Sequence, residues 1–182
     1  IFNFINDPEF EPAYTNDPLI PFSREFFLEL LRRNPPKFAP GEGVEYSDSN
    51  YYLLGMVIEA ITGRSSAQEI DERIVQPLGL TGTSLPDSPA MPSPAPRGYA
   101  ASAGSPDLRD LTVSSAEVPW TAGAMISTLA DLRVWSRALA TGTLLTPEMQ
   151  RERLRLSHLD LGGGRTFGYG LGIMEWQGWL GH

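Results

Sequence analysis

Apolar residues recur at helical intervals in five stretches of this chain and at alternate positions in one. Phe26, Phe27, Leu30 and Leu31 share one face of a helix predicted over 23–34, with Ser23 as its N-cap and Pro35-Pro36 as its stop. A second helix, predicted over 50–62, repeats Leu53, Leu54, Val57, Ile58 and Ile61 and ends at Gly63. Ser66-Ala67-Gln68-Glu69 reads as the capping box of a third helix over 66–76, with Ile70, Ile74 and Val75 facing inward. Thr128 caps a fourth over 128–140, with Asp131 in its first turn and Leu132, Trp135 and Leu139 inside. Pro147 opens a fifth over 147–155. Over 167–176 the period falls to two: Phe167, Tyr169, Leu171 and Ile173 alternate with Gly168, Gly170 and Gly172. That pattern predicts one strand with a nearly bare face, suited to close approach by another backbone.

Residues 1–22 lack a sustained period and read as an irregular segment packed by Phe2, Phe4, Phe10 and Tyr14. Residues 86–106, rich in Pro, Ser, Ala and Gly, read as a long loop. The fold class expected is therefore α+β, mostly α, with a helical subdomain over 1–165 and a sheet strand over 166–182. A lone strand cannot satisfy its own backbone, so its partners must come from neighbouring segments or from chain outside these residues. A chain opening on Ile1 instead of Met agrees with a piece of a larger fold.

Composition narrows the chemistry. Fourteen Lys and Arg against 22 Asp and Glu give a net charge of -8, which repels phosphate backbones and argues against nucleic acid as a partner. No cysteine is present, which removes disulfides, thiolate nucleophiles and Cys-ligated metals. His158 and His182 are the only histidines and fall in no zinc-binding pattern, so no metal is expected. Gly168-Tyr169-Gly170 lacks the strand-loop-helix context of a phosphate cradle, and no cofactor is expected. No apolar run approaches the ~20 residues of a transmembrane segment.

Polar residues remain in one suggestive place. Tyr46-Ser47-Asp48 stands where a Gly/Pro loop meets the second helix, and such a triplet either caps the helix or faces a cleft. Ser127 and Asp131 read as a cap and a first-turn acid, Glu59 as solvated, and no Ser-His-Asp arrangement can be assembled. Taken alone, the terminal His182 reads as a solvated end.

"PGEGVEYSDSNYYLLGMVIEAITG", "IVQPLGLTGTS", "AGAMISTLADLRVWSRAL" and "YGLGI" together resemble the serine β-lactamase and DD-peptidase superfamily, nearest the D-alanyl-D-alanine carboxypeptidase, class C β-lactamase and related esterase group. The resemblance runs from about Pro21 to His182. It implies a Tyr-x-Asn corner at Tyr46, Ser47 and Asp48, with Asp where the family most often has Asn. His182 matches the basic residue of a Lys/His-Thr-Gly motif, and Trp120 matches a wall of the substrate cleft; read without the resemblance, Trp120 is equally a core indole. The family's Ser-x-x-Lys nucleophile pair is missing, because the one lysine, Lys37, has Asn34 three residues before it. A missing N-terminal segment of the same fold is the implied partner.

In that scheme Tyr46 passes protons between a serine nucleophile and the leaving group, and the start of the helix favours its phenolate. His182 steers a substrate carboxylate or relays protons. Asp48 would contact substrate as an acceptor only, which makes specificity for acyl-D-amino acid amides less secure than hydrolase chemistry. The resemblance thus implies part of a serine hydrolase acting through an acyl-enzyme on a D-amino-acid amide, β-lactam or ester. Its substrate would be a small molecule or peptide, and its location extracellular or periplasmic. Two alternatives stay open: a nucleophile-less binding module for cell-wall peptide, and a structural helical domain.

Overall fold

A computed structural model describes residues 1–43, 45–101, 107–160 and 166–181, with the side chains of 159 and 160 excepted. The chain forms two compact units, Ile1–Gln68 with Leu85–Ile126, and Glu69–Ser84 with Ser127–His182.

The first unit is built around aromatic rings. Phe4 is fully buried and meets Phe10, Phe22, Phe27 and Tyr52 at centroid distances of 5.8, 5.2, 5.3 and 5.9 Å. Tilted and edge-on pairs of this kind add to the large apolar area each ring removes from water. Residues 1–22, expected to be irregular, hold a 3-10 turn, Phe4–Asn6, and a helix α1, Phe10–Asn16. Asp7 makes that helix possible, because its Oδ1 accepts the N–H groups of Glu9 and Phe10 at 3.0 and 3.1 Å. Helix α2, Arg24–Arg33, opens where expected, with Ser23 accepting the Phe26 N–H at 3.1 Å.

Helix α3, Asp48–Thr62, ends at Gly63, whose φ of 68° is the left-handed cap the sequence predicts. Its buried face is Ser49, Tyr52 and Gly55. The expected apolar stripe behaves differently: Leu54, Val57, Ile58 and Ile61 are exposed, Ile61 by 79%. Two stripes of helical period run along this helix, and small or aromatic residues line the one that packs. Helix α6, Trp120–Gly123, lies so close that a Cβ on Gly55 would meet Thr121 Cγ2 at 2.7 Å and the Trp120 ring at 2.9 Å. Within the expected long loop, Tyr99–Ala101 form β1, paired antiparallel with β2, Leu108–Asp110.

Helical structure resumes at Ser66 and continues to Leu78 as α4 (Ser66–Ile70), a π turn (Asp71–Val75) and α5 (Gln76–Leu78). The capping box sits one residue earlier than expected: Ser65 and Gln68 bond reciprocally, at 3.0 and 3.2 Å. Glu69 is instead buried against Arg73 at 2.5 Å.

In the second unit, Thr128 caps α7, Leu129–Thr141, and Thr146 caps α8, Pro147–Arg153. Asp131 accepts from Gly82 N–H at 2.8 Å and Thr83 hydroxyl at 2.7 Å, which ties the Gly79–Ser84 turn to α7. The single strand expected over 167–176 is two, within an antiparallel sheet β3 (Ser157–Asp160), β4 (Thr166–Tyr169), β5 (Met174–Trp176) and β6 (Trp179–Gly181). The alternation breaks because Gly170 packs on the Arg153 carbonyl, where a Cβ has no room, and Gly172 turns the chain at φ 61°. A two-residue turn at Gln177-Gly178, with φ 51° and 83°, closes the last hairpin. The α+β class, mostly α, stands, and these elements supply the backbone partners a lone strand would lack.

Asp7 provides a test of this packing. Burial pushes its carboxyl up, but hydrogen bonds from Arg33, Asn34 and the Glu9 and Phe10 amides outweigh that and hold it at about 2. A folded-state value below the unfolded one stabilises above the unfolded value, and that stability disappears as pH falls through the folded value. The contribution is about 2 kcal/mol, lost between about pH 4 and pH 2. Urea unfolding should therefore show Asp7→Asn less stable than wild type near pH ~6, with the gap narrowing below pH ~3. A gap independent of pH would remove Asp7 from this role.

Candidate active site

Three consecutive residues at the start of α3 are stitched to three at the N-terminus. The Ser47 hydroxyl donates to the Phe2 carbonyl at 3.4 Å, Asn3 Nδ2 donates to Asp48 Oδ2 at 3.1 Å, and the Phe4 N–H donates to Ser49 Oγ at 3.0 Å. Ser47 and Ser49 are buried, and Asn3 is only 8% exposed. Ser47 is the N-cap residue by backbone geometry, yet its side chain makes no cap hydrogen bond. Ser47 therefore neither caps the helix through its side chain nor faces a cleft.

Asp48, the first residue of α3, spends its second oxygen on Tyr46: the phenol donates to Asp48 Oδ1 at 2.7 Å. A short hydrogen bond to an ionised acceptor is among the stronger kinds. Tyr46 is 75% exposed, so an exposed phenol is held by a carboxylate anchored to a buried amide. Glu45, next to it in sequence, is ion-paired with Lys37, so the one lysine of the chain serves as a counter-charge there.

Trp120 is placed elsewhere on the first unit. Its ring packs edge-on to Tyr52 at 4.8 Å and lies under the Arg24 guanidinium at 4.7 Å, while Arg24 also pairs with Glu59 at 2.5 Å. With Arg24, Glu59, Leu85 and Glu117 it lines a cavity of about 360 Å³. Its φ of 30° is costly for a residue with a Cβ, and the Tyr52 and Arg24 contacts help hold it there. Burial pushes the Tyr52 phenol up to about 12, with Arg24 opposing and Glu117, Glu59 and Glu25 adding to the rise. Glu59, read as solvated, also accepts the Ser66 N–H at 2.8 Å.

The structure therefore brings Tyr46 and Asp48 into direct contact and places Trp120 on the face of α3 that carries Tyr52 and Gly55. His182 lies outside the described residues. Sequence reading missed Asn3: it lies 45 residues from Asp48, in a segment without periodicity, and nothing in its neighbours signals the contact. Among the described residues no group of three or more His, Cys, Asp or Glu could hold a metal ion, and no helix is long and apolar enough to cross a membrane.

Comparison with known proteins gives a consistent picture. The profile of the β-lactamase family matches residues 3–182. A D-stereospecific amidohydrolase from Streptomyces sp. is 30% identical with a TM-score of 0.87, over 96% of this chain and 53% of its own. A D-amino acid amidase from Ochrobactrum anthropi SV3, complexed with D-phenylalanine, is 26% identical with a TM-score of 0.73, over 86% of this chain and 47% of its own. A putative D-alanyl-D-alanine carboxypeptidase from Escherichia coli K12 is 35% identical over 80 residues, 44% of this chain and 18% of that protein. The chain thus spans about half the length of the two solved structures and under a fifth of the carboxypeptidase.

The two serines at helix starts, Ser23 and Ser47, should respond differently to mutation. Ser23→Ala removes a hydrogen bond to an orphan N–H and should cost about 1 kcal/mol in urea unfolding. Ser47→Ala, which removes no cap bond, should cost roughly 0.5 kcal/mol or less. Equal losses at the two sites would return Ser47 to a capping role.

Proposed function

From the premise that this chain belongs to the β-lactamase family, we propose that it contributes one part of a serine hydrolase that forms an acyl-enzyme on amides or esters of D-amino acids. The observation that carries the reading is the exposed Tyr46 phenol, held by Asp48 at the start of α3, in the Tyr-x-Asn place of the resemblance. The amide substrate class is supported by the D-stereospecific amidohydrolase, whose likeness covers nearly all of this chain.

The chemistry assigns each group a task. A serine hydroxyl is a poor nucleophile near neutral pH and needs a base within hydrogen-bond reach. No Ser-x-x-Lys occurs in these 182 residues, so the nucleophile and its lysine come from polypeptide beyond them. The exposed Leu54, Val57, Ile58 and Ile61 stripe on α3 is the kind of surface such a segment would cover. Tyr46 relays the serine proton as the hydroxyl attacks the acyl carbon, passing on its own proton as it takes up the new one, and delivers a proton to the leaving nitrogen or oxygen. His182 draws the substrate carboxylate into place, and Trp120 contributes a wall of the cleft. A secreted setting, extracellular or periplasmic, goes with this reading.

The test uses the complete protein and a D-amino acid anilide or activated ester, with intact-mass measurement of the acyl adduct. Tyr46→Phe keeps the ring and should lower acylation by ~10²-fold or more while leaving the fold intact. The 182-residue chain alone should form no adduct with substrate or with a β-lactam, and adding the complementary polypeptide should restore one. An adduct mapped to a serine within these 182 residues, or unchanged turnover in Tyr46→Phe, would overturn the assignment.

A further inference from the structure

We propose that Asn3 and Asp48 form a positioning pair for Tyr46, which hold its phenol neutral with the proton aimed at Asp48 and make Asp48 the store for that proton during acylation. The inference rests on the hydrolase reading for its catalytic consequence and on the structure for its geometry.

A carboxylate can only accept, so the direction of each bond is fixed by the residue type at 48. Tyr46 must be the donor to Oδ1, at 2.7 Å, and Asn3 must turn its amide N–H groups toward Oδ2, at 3.1 Å. An asparagine at 48 would allow either direction and would leave the phenol proton unassigned. Asn3 bears a cost for its orientation: its Oδ1 is buried and makes no hydrogen bond. An unsatisfied buried acceptor is destabilising. The neighbouring bonds from Ser47 to Phe2 and from Phe4 to Ser49 keep Asn3 from turning away to relieve it.

The consequence for protons runs against a simple phenolate base. Removing the Tyr46 proton without moving it to Asp48 would leave two negative oxygens 2.7 Å apart. Glu45, adjacent in sequence, adds negative charge that Lys37 offsets through their ion pair. Tyr46 is therefore expected to act as a relay. As the serine oxygen forms its bond to the acyl carbon, the carbonyl π pair moves onto the carbonyl oxygen. The serine proton passes to Tyr46 Oη, and the phenol's own proton passes to Asp48 Oδ1. When the tetrahedral species collapses, the proton on Asp48 returns to Tyr46 as Tyr46 protonates the leaving group, so phenol and carboxylate end as they began.

The test separates geometry from catalysis. Tyrosine ring-carbon NMR on the 182-residue chain, with the Tyr46 signal assigned by Tyr46→Phe, should show Tyr46 titrating above an ordinary tyrosine. Asp48→Asn, which keeps the shape, should lower that titration point by about one unit or more. Asn3→Ser, which shortens the amide anchor, should lower it part of the way, with an unchanged amide spectrum elsewhere reporting an intact fold. In the complete enzyme, Asp48→Asn should also slow acyl-adduct formation, and Asp48→Glu should restore part of it. A Tyr46 titration unmoved by Asp48→Asn would overturn the pair, and one unmoved by Asn3→Ser would remove Asn3 from it. Either result with acyl-adduct formation intact leaves the hydrolase reading standing. A shifted titration with no adduct in the complete enzyme sinks that reading and its catalytic consequence while the geometry holds.

Discussion

The burial of Phe4 is the constraint on which the candidate site depends. Its ring is completely enclosed by Phe10, Phe22, Phe27 and Tyr52, and full burial of such a side chain is worth roughly 1.5–3 kcal/mol. With that ring locked, residues 2–4 cannot leave the start of α3, and their polar groups must find partners there. They find Ser47, Asp48 and Ser49, one for one. The aromatic core thereby fixes the carboxylate that fixes the phenol. Tyr46 itself is exposed and contributes little to packing.

Much of the helical part could be read from the sequence because its signals are local. Ser23 and Thr128 cap the helices they were expected to cap, Pro147 opens its helix, and Gly63 ends α3 in the left-handed conformation. The misreadings have tertiary causes. Ser66 looked like the first member of a capping box, but its hydroxyl is buried on the Gly55 carbonyl, and Ser65 takes the cap. Alternating glycines looked like one strand, but Gly170 must accommodate the Arg153 carbonyl, and the chain folds into a hairpin. Leu54, Val57, Ile58 and Ile61 have the period of a buried face, but the Gly55 notch draws Trp120 and Thr121 to the other side of α3.

The candidate site divides in the same way. Tyr46 and Asp48 were visible because motif and helix start coincide within three residues, and their hydrogen bond follows from that proximity. Asn3 was invisible because only the closure of the aromatic core brings it across 45 residues. Trp120 is an indole packed on Tyr52, and it lines a cavity with Arg24 and Glu59. The chain belongs to the β-lactamase family and shares its fold with longer relatives.

The central claim is that Tyr46 faces a nucleophile supplied from outside these residues. Photo-crosslinking tests it most directly: a benzophenone-bearing phenylalanine placed at position 46 of the complete protein, irradiated, digested and sequenced by mass spectrometry. The account predicts a crosslink to a peptide carrying Ser-x-x-Lys. Crosslinks confined to peptides within these 182 residues would contradict it.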